Sequence, residues 1–310
     1  MSIVLENLRR DARMRAETDR EMSVAWIIIP IAPLLSLLLL ASLPAFLSLA
    51  LPPSALNSNP TVSNPAIAGA VFLAIGIFLL IAGVLLVVGI LNAIMTYKLV
   101  RRRNTHFARQ LLLYEDLYAA LREVGTRKNL DFAIPLNNLE RSMREVRLEE
   151  TEKSAGLWGF LVFLPVIGGF ASWYTYYFLM KDFYRHERRE EGYTNDIIGA
   201  LTVAGTPINL PRRILPIPDR SFVLYLILSI ITLRLFDIYW VYVLLTDPNN
   251  HFRQQWMVED TLIAQLSPVL GGPGQPPAFS STLPEIPPLP PSFSPPPSPP
   301  PSPPPSFTPP

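Results

Sequence analysis

The chain has 310 residues, 49% of them hydrophobic and only 16% charged, and its mean hydropathy is +0.28. That balance describes a membrane protein with a modest soluble portion. The net charge of +1 hides strong segregation, and the lack of any cysteine excludes a disulfide framework, a thiolate metal site and a cysteine nucleophile.

Residues 1–23 carry five arginines and five acids and predict an amphipathic helix on or near the cytoplasmic face, with no cleavage pattern of a signal peptide behind it. Residues 24–51 and 66–97 contain no charge. Each exceeds the ~20 residues needed to cross the hydrocarbon core, so 24–98 are expected to hold two transmembrane helices. Region 99–153 reads as helical and cytoplasmic. Leu112, Leu113, Leu117, Tyr118 and Leu121 recur at helical spacing up to about Gly125, and Leu136, Leu139, Met143, Val146 and Leu148 mark a second helix over 136–153. Residues 154–180 form a third apolar segment and 221–246 a fourth, with a basic helix and proline-rich linker over 181–220 between them. An amphipathic exit helix follows over 247–270. From Gly271 the chain turns to proline and serine, a composition that predicts polyproline II and disorder and suits a spacer.

Basic flanks stay in the cytoplasm, which puts the N-terminus and 98–153 inside and the uncharged loop 52–65 outside. The same rule conflicts with a third crossing, because 181–220 carries Lys181, Arg185, Arg188, Arg189, Arg212, Arg213 and Arg220. Two readings compete. Segments three and four cross as kinked helices, or each enters and returns to one face. Pro165 and Gly168-Gly169 interrupt segment three, and Thr232-Leu233-Arg234 is the matching place in segment four.

An internal repeat orders the rest. Each of the three histidines follows a tyrosine by nine residues: Tyr97…His106, Tyr177…His186 and Tyr242…His251, with Leu99, Leu179 and Leu244 between. At an offset of 80, matches run on through Arg109/Arg189, Asp116/Asp196, Ala120/Ala200, Leu121/Leu201 and Gly125/Gly205. The unit is an apolar helix followed by an amphipathic one, used three times. The fold class expected is all-α: a polytopic helical membrane protein with this repeat and a disordered proline-rich tail.

His106, His186 and His251 are the candidates for a metal or haem, since neutral imidazole is a common ligand of both. They share one face only if segments three and four return. No His-x3-His or Glu-x-x-His spacing occurs, and the preferred reading makes them structural residues at helix exits, with no metal and no cofactor assigned. Arg234 and Asp237 are charges inside a membrane segment, three apart on one helix face. They fit an ion path or, preferentially, a neutralised pair that locks the helix. Arg101, Arg102 and Arg103 form a juxtamembrane, lipid-facing basic cluster that can attract anionic lipid and is read first as a topology anchor. Glu149-Glu150 and Glu190-Glu191 read as solvated. No phosphate loop, nucleophile elbow or catalytic triad is present.

The stretch Phe222–His251, with Leu228-Ser229-Ile230-Ile231-Thr232 and Ile238-Tyr239-Trp240-Val241-Tyr242, resembles an uncharacterised, largely archaeal family of prokaryotic membrane proteins. Small glycines occupy the turn in that pattern, where this chain has Arg234 and Asp237. The resemblance implies an integral membrane protein and brings no activity or site residues with it. The function expected is non-enzymatic: a multi-pass protein of the cell membrane with its N-terminus in the cytoplasm, structural or interacting in role, as an accessory subunit of a membrane complex. Its partners are the bilayer and a membrane protein or second copy, not nucleic acid. A channel or transporter using Arg234 and Asp237 is the alternative, and a metal- or haem-binding membrane subunit the third reading.

Overall fold

A computed structural model describes residues 2–32, 38, 41–42, 44–45 and 65–271. Residues 52–64 of the expected loop, half of the first apolar segment and the proline tail beyond Gly271 lie outside them, as do the expectations made there. The regular secondary structure of the described residues is all helical, with no strand among them. The chain runs α1 (Ile3–Thr18), a single 3₁₀ turn (Val24–Ile27), α2 (Pro65–Lys128), α3 (Ala133–Glu149), α4 (Ala155–Phe163), α5 (Gly168–Val203), α6 (Phe222–Ile231) and α7 (Phe236–Gly271).

α2 is 64 residues long, or roughly 96 Å at 1.5 Å per residue. Its apolar first half leaves Phe72, Phe78, Leu80 and Leu86 exposed, while the second half turns Leu113, Leu117 and Leu121 into a core. Among the described residues it is the one helix long and apolar enough to cross a membrane. α5 and α7 pack against its second half.

Three apolar layers follow one another along this bundle. Met95, Leu99, Leu179, Trp240 and Leu244 close the end near the apolar segments. Phe107, Phe183, Ile217 and Phe252 form a small central layer. Leu117, Leu121, Ile197, Leu201, Leu262 and Leu266 make the far core. α1 joins that core through Leu5, Leu8 and Ala12, so it is a bundle member rather than a helix lying on a surface. Leu139, Met143 and Val146 of α3 do the same.

The apolar segments three and four are not continuous helices. Both break where the sequence marks breakers, into α4–turn–α5 and α6–turn–α7. In the first turn the Gly168 N–H reaches the Leu164 carbonyl at 2.7 Å. A Cβ on Gly168 would sit 2.3 Å from the Val162 carbonyl oxygen, so the close approach requires glycine. The second turn has no glycine. Leu233 and Arg234 take left-handed φ values of 50° and 73°, a region that costs L-residues about 1–2 kcal/mol each.

The repeat extends further than the histidines. Ser23, Ser154 and Ser221 each cap the start of an apolar segment, accepting from Ala25 N (3.2 Å), Leu157 N (3.3 Å) and Leu224 N (3.3 Å). Four residues before each serine stand Asp19, Glu150 and Ile217. The amphipathic halves also end alike. Leu130 N–H returns to Gly125 O and Thr206 N–H to Leu201 O, both at 2.9 Å, with Asn129 and Gly205 in the left-handed region. α2 runs a turn past Gly125 before it stops.

Gly168→Ala is expected to destabilise the protein by about 1–3 kcal/mol through overpacking of the turn. Leu233→Gly is expected to stabilise it by about 0.5–1 kcal/mol, because relief of the left-handed strain exceeds the added chain entropy. Thermal unfolding of the detergent-solubilised variants checks both signs.

Candidate metal centre

The three repeat histidines meet in the central layer. His106 comes from α2, His186 from α5 and His251 from α7, and their ring nitrogens offer one ligand atom each within 4.8 Å of one another. Ring centroids stand 5.1 Å (His106–His186), 5.3 Å (His106–His251) and 5.5 Å (His186–His251) apart, with interplanar angles of 73°, 84° and 73°. All three are buried to 1% exposure or less. The one-ring convergence follows from register. Leu99, Leu179 and Leu244, seven residues earlier in each copy, pack into one layer, and seven residues is close to two helical turns.

Each imidazole is held from behind by a carboxylate. His106 Nδ1 lies 2.9 Å from Asp19 Oδ1, His186 Nδ1 3.0 Å from both Glu150 oxygens, and His251 Nδ1 3.0 Å from Glu187 Oε2. Behind each acid stands an arginine. Arg109 binds Asp19 (2.7 Å), Arg189 binds Glu150 (2.6 Å) and Arg213 binds Glu187 (2.9 Å). Arg109 and Arg189 are equivalent in the repeat. In the third copy Gln254 holds that place and Arg213 comes from the linker instead. The acids follow the same logic. Asp19 and Glu150 are the residues just past α1 and α3, four before the capping serines, and Ile217 replaces the acid in copy three. Glu187 of α5 fills the gap, and accepts from the Ile217 N–H at 2.8 Å.

These bonds set the tautomers of His106 and His186. An Nδ1–H that donates to a carboxylate leaves Nε2 bare. His106 Nε2 and His251 Nε2 then face each other at 3.3 Å, and His186 Nε2 is buried with no hydrogen-bond partner among the described residues. The alternative tautomer of His251 accepts from Arg213 at Nδ1 (3.1 Å) and donates to His106. It still leaves His186 Nε2 unsatisfied. Beside them, Glu190 Oε2 lies 3.7 Å from His251 Nε2. Glu190 is buried and bridged to Arg213.

The surroundings are dry. Phe107 stacks on His186 at 4.2 Å and Phe252 packs on His106 at 4.5 Å. Burial pushes the His106 imidazole below the ordinary histidine value, against the pull of Asp19, and His251 well below it, against the pull of Glu190. Burial works against the Glu150 carboxylate too, but His186 and Arg189 outweigh it and hold it at about 2. Glu259 is pushed up to about 7 by burial even with Arg109 beside it. Arg109 serves both Asp19 and Glu259, binding the latter at 2.8 and 3.0 Å.

Other predicted residues fall elsewhere. Arg234 and Asp237 pair at 2.8 Å in the second turn. Ser229 Oγ donates to Asp237 (2.5 Å), Trp173 Nε1 donates to Ser229 (3.1 Å), and the Arg234 guanidinium lies 5.3 Å over the Trp173 ring. The pair ties the two helical hairpins together. The basic cluster does not face lipid as a unit. Arg101 is exposed, but Arg102 turns inward to the Leu244 carbonyl (2.9 Å) and Asn249 (2.8 Å), and Arg103 to Asp182 (2.9 Å) and the Thr151 carbonyl (2.7 Å). One guanidinium cannot be left unpaired in a core, and these two find carbonyls and a carboxylate there. Glu150 and Glu190, read as solvated, are buried site residues. The signal for Glu190 was its place four residues after His186, one helical turn along the same face.

No family model, curated protein or solved structure matches this chain, so the site is read from its own geometry.

Arg109→Met strands two buried carboxylates and is expected to cost about 3–5 kcal/mol of stability. Arg141→Met removes only the exposed pair with Glu145 and is expected to cost no more than about 0.5 kcal/mol. Denaturant unfolding in detergent measures the contrast.

Proposed function

We propose that this is an integral membrane protein whose helical bundle binds a divalent transition metal, zinc being the best fit, through Nε2 of His106, His186 and His251. The observation that carries this reading is the meeting of three buried imidazoles, with one ligand nitrogen of each within 4.8 Å of the others and a carboxylate at each Nδ1. Without a cation, His186 Nε2 stays unsatisfied in a dry pocket whichever tautomer His251 takes, which is unfavourable. With one, the arrangement is the carboxylate–histidine–metal triad used three times. The 3.3 Å separation of His106 and His251 Nε2 equals the edge of a tetrahedron with metal–nitrogen bonds of about 2.0–2.1 Å. It leaves no room for a porphyrin between the two rings, so the haem reading is weaker. Glu190 stands where a fourth ligand, or a group bonded to a metal-bound water, belongs.

The bundle sits on the cytoplasmic side in this reading. The basic flanks Arg9–Arg20 and Lys98–Arg103 support an inner N-terminus, with crossing by the first segment and by the apolar half of α2. The role is binding within a membrane protein of structural or interacting type, and no reaction is assigned to it. The sequence favoured structural histidines because nothing in it links Asp19, Glu150 and Glu187 to the three rings. The mutual neutralisation of Arg234 and Asp237 supports a tie between hairpins over an ion path.

The test is metal analysis and cobalt substitution of the purified, detergent-solubilised protein. About one zinc per chain is expected, replaceable by cobalt with the intense visible bands of a tetrahedral site. His186→Ala is expected to weaken binding by at least about 10-fold and Glu150→Gln by about 10–100-fold. A protein that gains no tightly bound zinc or cobalt overturns the reading.

A further inference from the structure

We infer that the hairpins α4–α5 and α6–α7 enter one leaflet of a bilayer from the cytoplasmic side and return to it, without crossing. This rests on the membrane half of the reading above and not on the metal. Three observations carry it. The first is depth. α4 has nine residues and α6 ten, about 14–15 Å each, half of a ~30 Å hydrocarbon core. α4 lies along α2, with Gly159 against the Ala93 carbonyl and Phe163 against Gly89. Gly89 is eight residues from Tyr97, so the turn reaches only roughly 12 Å beyond the tyrosine level. The Trp173–Ser229 and Arg234–Trp173 contacts hold the second tip beside the first.

The second is surface chemistry. Val166 (83% exposed), Phe170 (70%), Ile231 (72%) and Leu233 (79%) crown the tips, continuous with the exposed apolar face of α2. Tyr97, Tyr174, Tyr239 and Tyr242 are exposed further back, as rings at headgroup level are. The charges near the tip cancel in the Arg234–Asp237 pair, and the backbone of each turn closes on its own carbonyls, which hydrocarbon demands. The third is sidedness. His106, His186 and His251 lie in one layer, so the basic stretch 181–220 is on the same side as 98–153. The conflict with the positive-inside rule disappears. The occupant of the tips is therefore lipid acyl chain, not a protein partner.

Single cysteines in this cysteine-free chain test it, labelled in intact and in opened cells with an impermeant maleimide. Ser58→Cys is expected to react in intact cells, and Ser142→Cys and Thr202→Cys only after opening. Thr202→Cys reacting from outside while Ser142→Cys stays protected overturns the hairpins and leaves the membrane reading standing. Ser142→Cys reacting from outside overturns both. A spin label on Val166→Cys in lipid nanodiscs then identifies the occupant. Collision with oxygen but not with a soluble nickel chelate is the result expected. Collision with nickel, or with neither, overturns lipid contact.

Discussion

Everything in the central layer depends on the carboxylate behind each imidazole. A buried histidine has two nitrogens to satisfy, and in this bundle Nδ1 is satisfied by an anion in all three copies. That bond orients each ring and, at His106 and His186, where only a carboxylate meets Nδ1, sets the tautomer as well. It also demands a cation behind each acid, met by Arg109, Arg189 and Arg213. An uncompensated carboxylate in such a place costs several kcal/mol. The three triads thus tie α1, α3 and the linker to the three long helices. The polar layer and the overall packing cannot be separated, because Asp19 and Glu150 are also the ends of the helices that complete the far core.

The repeat explains how one sequence builds a near-symmetric site from unequal parts. Copies one and two run acid, capping serine four residues later, apolar segment, histidine, and then arginine three residues further on. Copy three lost the acid to Ile217 and the arginine to Gln254. Both losses are covered from elsewhere in the chain, the acid by Glu187 and the base by Arg213, while Gln254 accepts from the Ile214 N–H at 2.7 Å.

Much of this was legible in the sequence. The helical class, the repeat, the breaks at Pro165–Gly168 and at Thr232–Arg234 and the Arg234–Asp237 pair are local patterns, and local patterns are what periodicity and spacing reveal. The candidates His106, His186 and His251 were visible as a register, and their meeting was conditional on the hairpins. What was not legible is long-range. Asp19 lies 87 residues from His106 and Glu187 64 from His251. Glu150 and Glu190 sit in runs whose charge density reads as a solvated face, and only the packing of α3 and the linker against α5 buries them. Arg102 and Arg103 failed for the same reason. A basic run beside a long apolar segment looks like a lipid anchor until the helix phase turns two of its three members inward.

The most direct test of the central claim is X-ray absorption at the zinc edge of the protein loaded with one equivalent of zinc. Three imidazole nitrogens at about 2.0–2.1 Å, with the outer-shell scattering of imidazole rings and one further light ligand, is the predicted first shell. A shell of six oxygens, or of fewer than three imidazoles, would contradict the account and return the histidine layer to a purely structural role.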